Sequence, residues 1–170
     1  MKSLYVTIAA LLISAGLTAQ KYAFVDSEYI LSNIPSYQAA EEQLEQISVE
    51  WQKEIEAMYK EIDKMYRDFQ AEKVYLTEEM KRKREEDIIN KEKEVKEKQK
   101  KYFGKEGELS KKREELVKPI QDEVFNAIKE MAEEQNYALI LDTSGSITIM
   151  YSNPRYDLSD DVLERLGYKN

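Results

Sequence analysis

Val74-Tyr75-Leu76-Thr77-Glu78-Glu79 decides how this chain folds. The stretch lies inside a run, Ser36 to Lys118, that contains no proline and is dominated by Glu, Lys, Gln, Ala, Leu and Met. That composition dictates helix. Val74 and Tyr75 interrupt it with β-branched and aromatic side chains, which lose χ1 freedom against a preceding helical turn. Thr77 can then cap a new first turn, where Glu78 and Glu79 complement the helix dipole. The chain is expected to reverse at 74–79. Arms of Ser36–Lys73 and Glu78–Arg113 would each hold about 36–38 residues and span roughly 55 Å at 1.5 Å per residue. Gly104 and Gly107 offer another place to reverse, but arms of about 68 and 30 residues could not pair along their length.

Working outward, the first arm carries a narrow apolar seam. Tyr37, Leu44 and Trp51 lie seven apart, and Ile55, Met58, Ile62, Met65 and Phe69 continue at spacings of three and four. Two apolar residues per heptad suit one or two partner helices rather than a globular core. Past Phe69 the seam thins to scattered residues such as Val74, Leu76, Met80, Ile88, Ile89 and Val95. Charge points to pairing of the two arms. Ser36–Lys73 holds ten acids and five bases, whereas Lys81–Arg113 holds fourteen bases and eight acids. Antiparallel arms of net −5 and +6 attract along their flanks.

The flanking segments read differently. Residues 1–19 have the form of a secretory signal, with Lys2 followed by an uncharged apolar run from Leu4 to Leu17 and then Thr18-Ala19. About 14 apolar residues fall short of the roughly 20 that a membrane span needs. The mature chain is thus expected to be exported and soluble, and without Cys it cannot be a lipid-anchored lipoprotein. Lys21-Tyr-Ala-Phe-Val-Asp26 reads as a strand, and Pro35-Ser36 as a stop followed by a helix N-cap. Leu116, Val117, Ile120, Val124, Ile128 and Met131 form a broader stripe on a core-facing helix near Glu114 to Gln135, which Pro119 kinks or restarts. Asn136 suits its C-cap. Ala138-Leu-Ile-Leu-Asp142 and Ile147-Thr-Ile-Met-Tyr151 read as a strand hairpin about Thr143-Ser-Gly-Ser146. Ser159 should cap a last helix that turns Val162, Leu163 and Leu166 inward and stops at Gly167.

These readings give an α+β chain in three parts. They are a signal at 1–19, a body with a small β-sheet from 20–35 and 114–170, and a long antiparallel coiled-coil hairpin from 36–113. Three strands cannot hide both sheet edges, so the body is expected to oligomerise through Phe24, Leu139, Leu141, Ile147 and Ile149. In the returning arm, Lys81, Arg82, Lys83 and Arg84 form a basic cluster suited to steering an acidic partner.

Composition narrows the chemistry sharply. The 170 residues include no Cys and no His, which removes disulfides, thiol chemistry, Ser-His-Asp triads and His/Cys metal sites. Asp26 and Asp142 follow apolar strands, where capping of a neighbouring element explains them better than catalysis. Asp157, Asp160 and Asp161 lack the glycine and spacing of a calcium loop. Gly104-Lys-Glu-Gly107 is not a phosphate loop, since no strand precedes it. No cofactor is expected. The net charge of −8 argues against nucleic acid as a partner.

Four segments in order carry a resemblance. They are Tyr22-Ala-Phe-Val-Asp26, Glu115-Leu-Val-Lys-Pro-Ile-Gln121, Tyr137-Ala-Leu-Ile-Leu-Asp142 and Asp157-Leu-Ser-Asp-Asp-Val-Leu163, set around a charged helical hairpin. In these the sequence resembles the Skp/OmpH family of periplasmic chaperones for outer-membrane proteins, over essentially all of the mature chain. The resemblance implies a homotrimer whose body strands form a central barrel, with three tentacle-like hairpins around a cavity. It further implies an ATP-independent holdase for unfolded outer-membrane β-barrel proteins in transit. The best-known member is basic and this chain is acidic, so no lipopolysaccharide site is carried over and any membrane-surface contact would be weak. The alternative is a structural coiled-coil scaffold or spacer of the envelope without chaperone activity.

Overall fold

The computed structural model describes residues 20–145 and 149–168. The signal reading at 1–19 and the start of the second hairpin strand, Ile147-Thr148 with Ser146 before it, therefore lie outside the described residues. The described chain runs β1 (Lys21–Val25), α1 (Ser27–Ser32), α2 (Pro35–Glu72), α3 (Glu78–Phe103), α4 (Glu108–Gln135), β2 (Tyr137–Asp142), a 3-10 turn (Pro154–Tyr156) and α5 (Ser159–Arg165). Two compact units emerge. One joins the described residues up to Leu31 with those from Val124 onward, and the other is Ser32–Glu123.

The second unit is the helical hairpin. α2 begins with Pro35 at its first turn, where a missing N–H costs nothing. It runs 38 residues to Glu72. Thr77 takes extended backbone and accepts from the Met80 amide, with Glu78 and Glu79 in the first turn of α3. The seam of α2 buries Ile55, Met58, Ile62 and Phe69 against Ile88 and Val95 of α3. Nearer the start of α2, Ala40 and Leu44 pack on Val117 of α4, with Tyr37, Leu109, Leu116 and Ile120 around them. Acids of the outgoing helix meet bases of the return at Glu41–Arg113, Glu54–Lys98, Glu61–Lys91 and Glu72–Arg84. The block asymmetry of charge thus becomes four pairs across the hairpin. All reach solvent, where water and salt screen the attraction, so none is a large contributor on its own.

Two features of the return correct the sequence reading. It is not one helix to Arg113, because α3 stops at Phe103 and residues 104–107 form a turn before α4. Nor does a fresh helix start near Glu114 or Pro119. α4 begins at Glu108 and passes Pro119 as an interior residue. Proline removes one ladder bond there, and the flanking apolar stripe holds the helix together regardless.

In the first unit, β1 and β2 pair in parallel, with Ala23 opposite Ile140, Phe24 opposite Leu141 and Val25 opposite Asp142. Parallel strands need a crossover, and here it is everything from Asp26 to Asn136. The expected antiparallel hairpin is overturned for the described residues, since Ile149–Tyr151 carry no strand. The turn residues do other work. Thr143 donates through its amide and its hydroxyl to the Val25 carbonyl, at 2.8 and 3.0 Å, fastening the end of β2 to β1. The sequence reading also lacked α1. Its N-terminus is capped by Asp26, whose carboxylate accepts from the Tyr29 amide at 2.9 Å. Asn136 adopts a left-handed φ of 59°, as a helix C-terminus asks. Ser159 is the first helical residue rather than the cap. It is buried, its hydroxyl donates to Asp157 and accepts from the Asp26 amide.

Candidate functional site

Alternation along β1 sends Ala23 and Val25 into the core and leaves Tyr22 and Phe24 on the other face. The register sets Tyr22 beside Leu139 and Phe24 beside Leu141. One face of the two-stranded sheet therefore presents four large apolar side chains side by side. Tyr22 stays 54% exposed and Leu139 49%. β2 was expected to be a buried strand, yet none of its residues is buried within this chain. Beside this face lies a groove of about 630 Å³, lined by Tyr22, Phe24, Tyr137, Leu141, Ile149, Tyr151 and Tyr156 among others. Phe24, Leu141 and Ile149 meet in that groove, and Leu139 shares the sheet face. Ile147 falls outside the described residues. The tyrosines of the groove went unremarked in the sequence, although Tyr151 and Tyr156 flanking Asn153-Pro154 marked them as an aromatic pair around a turn.

Two carboxylates hold this face in place. Asp142 accepts from the Ser27 amide and hydroxyl at 3.1 and 2.6 Å, and from the Ser144 amide and hydroxyl at 3.1 and 2.9 Å. Burial presses its carboxyl upward, but these bonds outweigh burial and hold it below the ordinary aspartate value. Asp26 caps α1, as described. Both strand-end aspartates are thereby engaged in holding backbone amides and serine hydroxyls in place. Arg165 on α5 reaches Glu130 and Glu134 on α4, which raises the guanidinium pKa further.

The basic cluster sits at the start of α3. Lys81 is half-buried and pairs with Glu78 at 2.7 Å, and Arg84 pairs with Glu72 at 3.1 Å. Arg82 and Lys83 are exposed, with no ion pair to any described residue. The hairpin thus offers two free cations beside its tip, where Val74 and Tyr75 are 80% and 87% exposed. Farther along, Trp51 stacks on Tyr102 with centroids 4.4 Å apart and planes 8° from parallel, and Phe103 meets both edge-on. The Tyr102 hydroxyl and Lys98 both donate to Glu54, which lowers the Glu54 pKa. Trp51 appeared in the sequence as a seam residue; its partners Tyr102 and Phe103 did not stand out, because they lie where the return loses its apolar period.

Among the described residues no group of acids could hold a metal ion, and no helix is long and apolar enough to cross a membrane. Residues 21–166 match the family model for outer membrane protein (OmpH-like). The chain belongs to the OmpH-like family. This family is one of non-enzymatic chaperones, and the chain is not an enzyme. The fold is similar to the crystal structure of a candidate outer membrane chaperone, OmpH-like, from Caulobacter crescentus CB15. That likeness has a TM-score of 0.68 at 16% identity and covers 89% of this chain and 86% of the other. No curated protein sequence matches this OmpH-like chain.

Proposed function

We propose that this chain is an ATP-independent periplasmic holdase that shelters unfolded outer-membrane β-barrel proteins. In this reading, three copies assemble through their sheets and the helical hairpins enclose the client. The observation that carries it is the half-open apolar face of Tyr22, Phe24, Leu139 and Leu141, on a sheet of two strands. Such a face is too large to leave in water and too small to close on itself, so further copies complete it. Family membership supports the chaperone role. The hairpin supports the sheltering, since it is long, charged and thinly packed.

A client barrel in transit exposes unpaired strands and lipid-facing side chains. Many weak contacts along several arms hold such a chain by avidity while each contact exchanges quickly. Arg82 and Lys83 would steer acidic clients to the arms, and the exposed Val74 and Tyr75 would give any weak membrane-surface contact its place. The deciding experiment is mass measurement of the mature protein with and without an unfolded outer-membrane barrel, joined to aggregation assays on several unrelated barrels. A trimer that binds one client and keeps several barrels soluble is expected. A protein that binds one folded envelope partner and protects no barrel would be a scaffold instead.

A further inference from the structure

The hairpin packs in two separate places. Ile55, Met58, Ile62 and Phe69 meet Ile88 and Val95 in one cluster, and Ala40 and Leu44 meet Val117 in the other. Between Leu44 and Ile55 no residue of α2 is buried, and between Val95 and Val117 on the return only Gly107 is. The interval coincides with the break at 104–107.

That break is a wound-up link rather than a loose loop. The Gly104 amide donates to the Lys100 carbonyl, the Gly107 amide to the Gly104 carbonyl, and the Lys111 amide to the Gly107 carbonyl. The winding depends on both glycines. A Cβ at Gly104 would lie 2.4 Å from the Lys100 carbonyl oxygen, and one at Gly107 would lie 2.7 Å from that of Tyr102. What closes over this link is aromatic: Trp51 of the unbroken α2 stacks on Tyr102, two residues before Gly104.

We propose that residues 104–107 are a joint in the arm, and that the Trp51–Tyr102 stack is the latch that keeps it wound. The mechanics follow from the two-helix rod. Helices packed 8–10 Å apart cannot bend together unless one path lengthens; a 20° bend needs about 3 Å of extra length on the outer side. Four linking residues unwound from 1.5 Å per residue toward about 3.3 Å release up to ~7 Å. α2 bends gently as long helices do, while the return absorbs the difference in a few backbone torsions. The packed clusters on either side move as units. The joint is a property of the chain without client, so its test stands apart from the chaperone reading.

The full mature protein has no cysteine, so Asn90→Cys and Ser110→Cys place spin labels on either side of the joint. Labelled chains are diluted into unlabelled protein, and the distance distribution is measured by pulsed electron resonance. Trp51, the single tryptophan, reports the latch through acrylamide quenching. Tyr102→Ala is expected to raise the quenching constant at least twofold and to widen or shift the distribution by about 3 Å. Tyr102→Phe, which keeps the stack and loses the bond to Glu54, should behave as wild type in both. Exposure of Trp51 with an unchanged distribution would overturn the joint, and an unchanged Trp51 would overturn the latch. If Tyr102→Ala loses helicity, Trp51→Leu keeps apolar bulk without the stack, and its label distances decide the matter alone.

Discussion

Removing the carboxylate of Asp142 should loosen the small sheet, and the size of the effect can be worked from its partners. Four donors converge on it: two amides and two hydroxyls, from Ser27 and Ser144. The hydroxyls can turn to water, because this end of β2 is exposed. The amides cannot. The Ser27 amide belongs to the first turn of α1, where no intrahelical acceptor exists. Two amides bonded to a partly solvated carboxylate suggest a loss of about 2–3 kcal/mol for Asp142→Ala, and about 1 kcal/mol for Asp142→Asn, which keeps an acceptor oxygen without the charge. The sign with pH is fixed as well. The folded carboxyl lies below the ordinary aspartate value, so its stabilisation is fully present above an unfolded pKa of about 3.9 and is lost as pH falls through the lower folded value. Helix signals come mostly from the hairpin, so the assay is amide exchange in peptides covering 21–31 and 137–144. The gap between wild type and Asp142→Asn should be full at pH 6 and shrink toward pH 2. A gap that persists undiminished, or an Asp142→Ala variant within about 0.5 kcal/mol of wild type at pH 6, would refute the reasoning.

Three further outcomes are expected. Leu141→Asp places a charge on the sheet face opposite Phe24 and should turn the proposed trimer toward monomer at micromolar concentration, as read by mass photometry; an intact trimer would show that the face is not an interface. A short Gly-Ser insertion between Val74 and Thr77 should leave helicity and mass nearly unchanged, since lengthening a loop costs well under 1 kcal/mol, whereas the same insertion at Met58 should disrupt the seam. Equal damage from both would mean that the turn carries packing of its own. Arg82→Glu with Lys83→Glu should slow capture of an acidic unfolded barrel several-fold at low salt and little at 1 M, where the Debye length is about 3 Å; stopped-flow rates that ignore both salt and charge would place capture on apolar contacts.

The hairpin was legible in the sequence because its signals are local. Helix formers fill a long proline-free run, Thr77 stands three residues ahead of the amide it caps, and the seam repeats within two turns. The sheet was not, because its two strands lie more than a hundred residues apart in the chain. Nothing near Ala138–Asp142 says that its partner is Lys21–Val25, while Ile147–Tyr151 lies close by with the alternation of a strand. α1 was written locally, in Asp26 followed by Glu28, Ile30 and Leu31, but six residues between a strand and a proline carry little period to read. Of the five apolar residues expected on strands, Phe24, Leu139 and Leu141 lie on strands, Ile149 does not, and Ile147 is outside the described residues. Side-chain alternation depends on the strand and not on its partner, so Phe24, Leu139 and Leu141 share a face in either pairing.

The break at Gly104–Gly107 shows how a local signal can be read for the wrong property. Arm length rules the glycines out as the place where the chain reverses, but it gives no reason for their presence. Two glycines three residues apart in a helix-forming run lower its stability by roughly 1 kcal/mol each relative to alanine. The structure supplies their reason in backbone contacts too close for any Cβ. A rod meant only to be stiff would gain from alanine at both positions and a continuous return helix. This one spends helix stability at the interval where no large side chain of its seam is fully buried, and it stacks its single tryptophan beside the break. Those three features coincide within one stretch of the arm, and compliance at a chosen point accounts for all of them together.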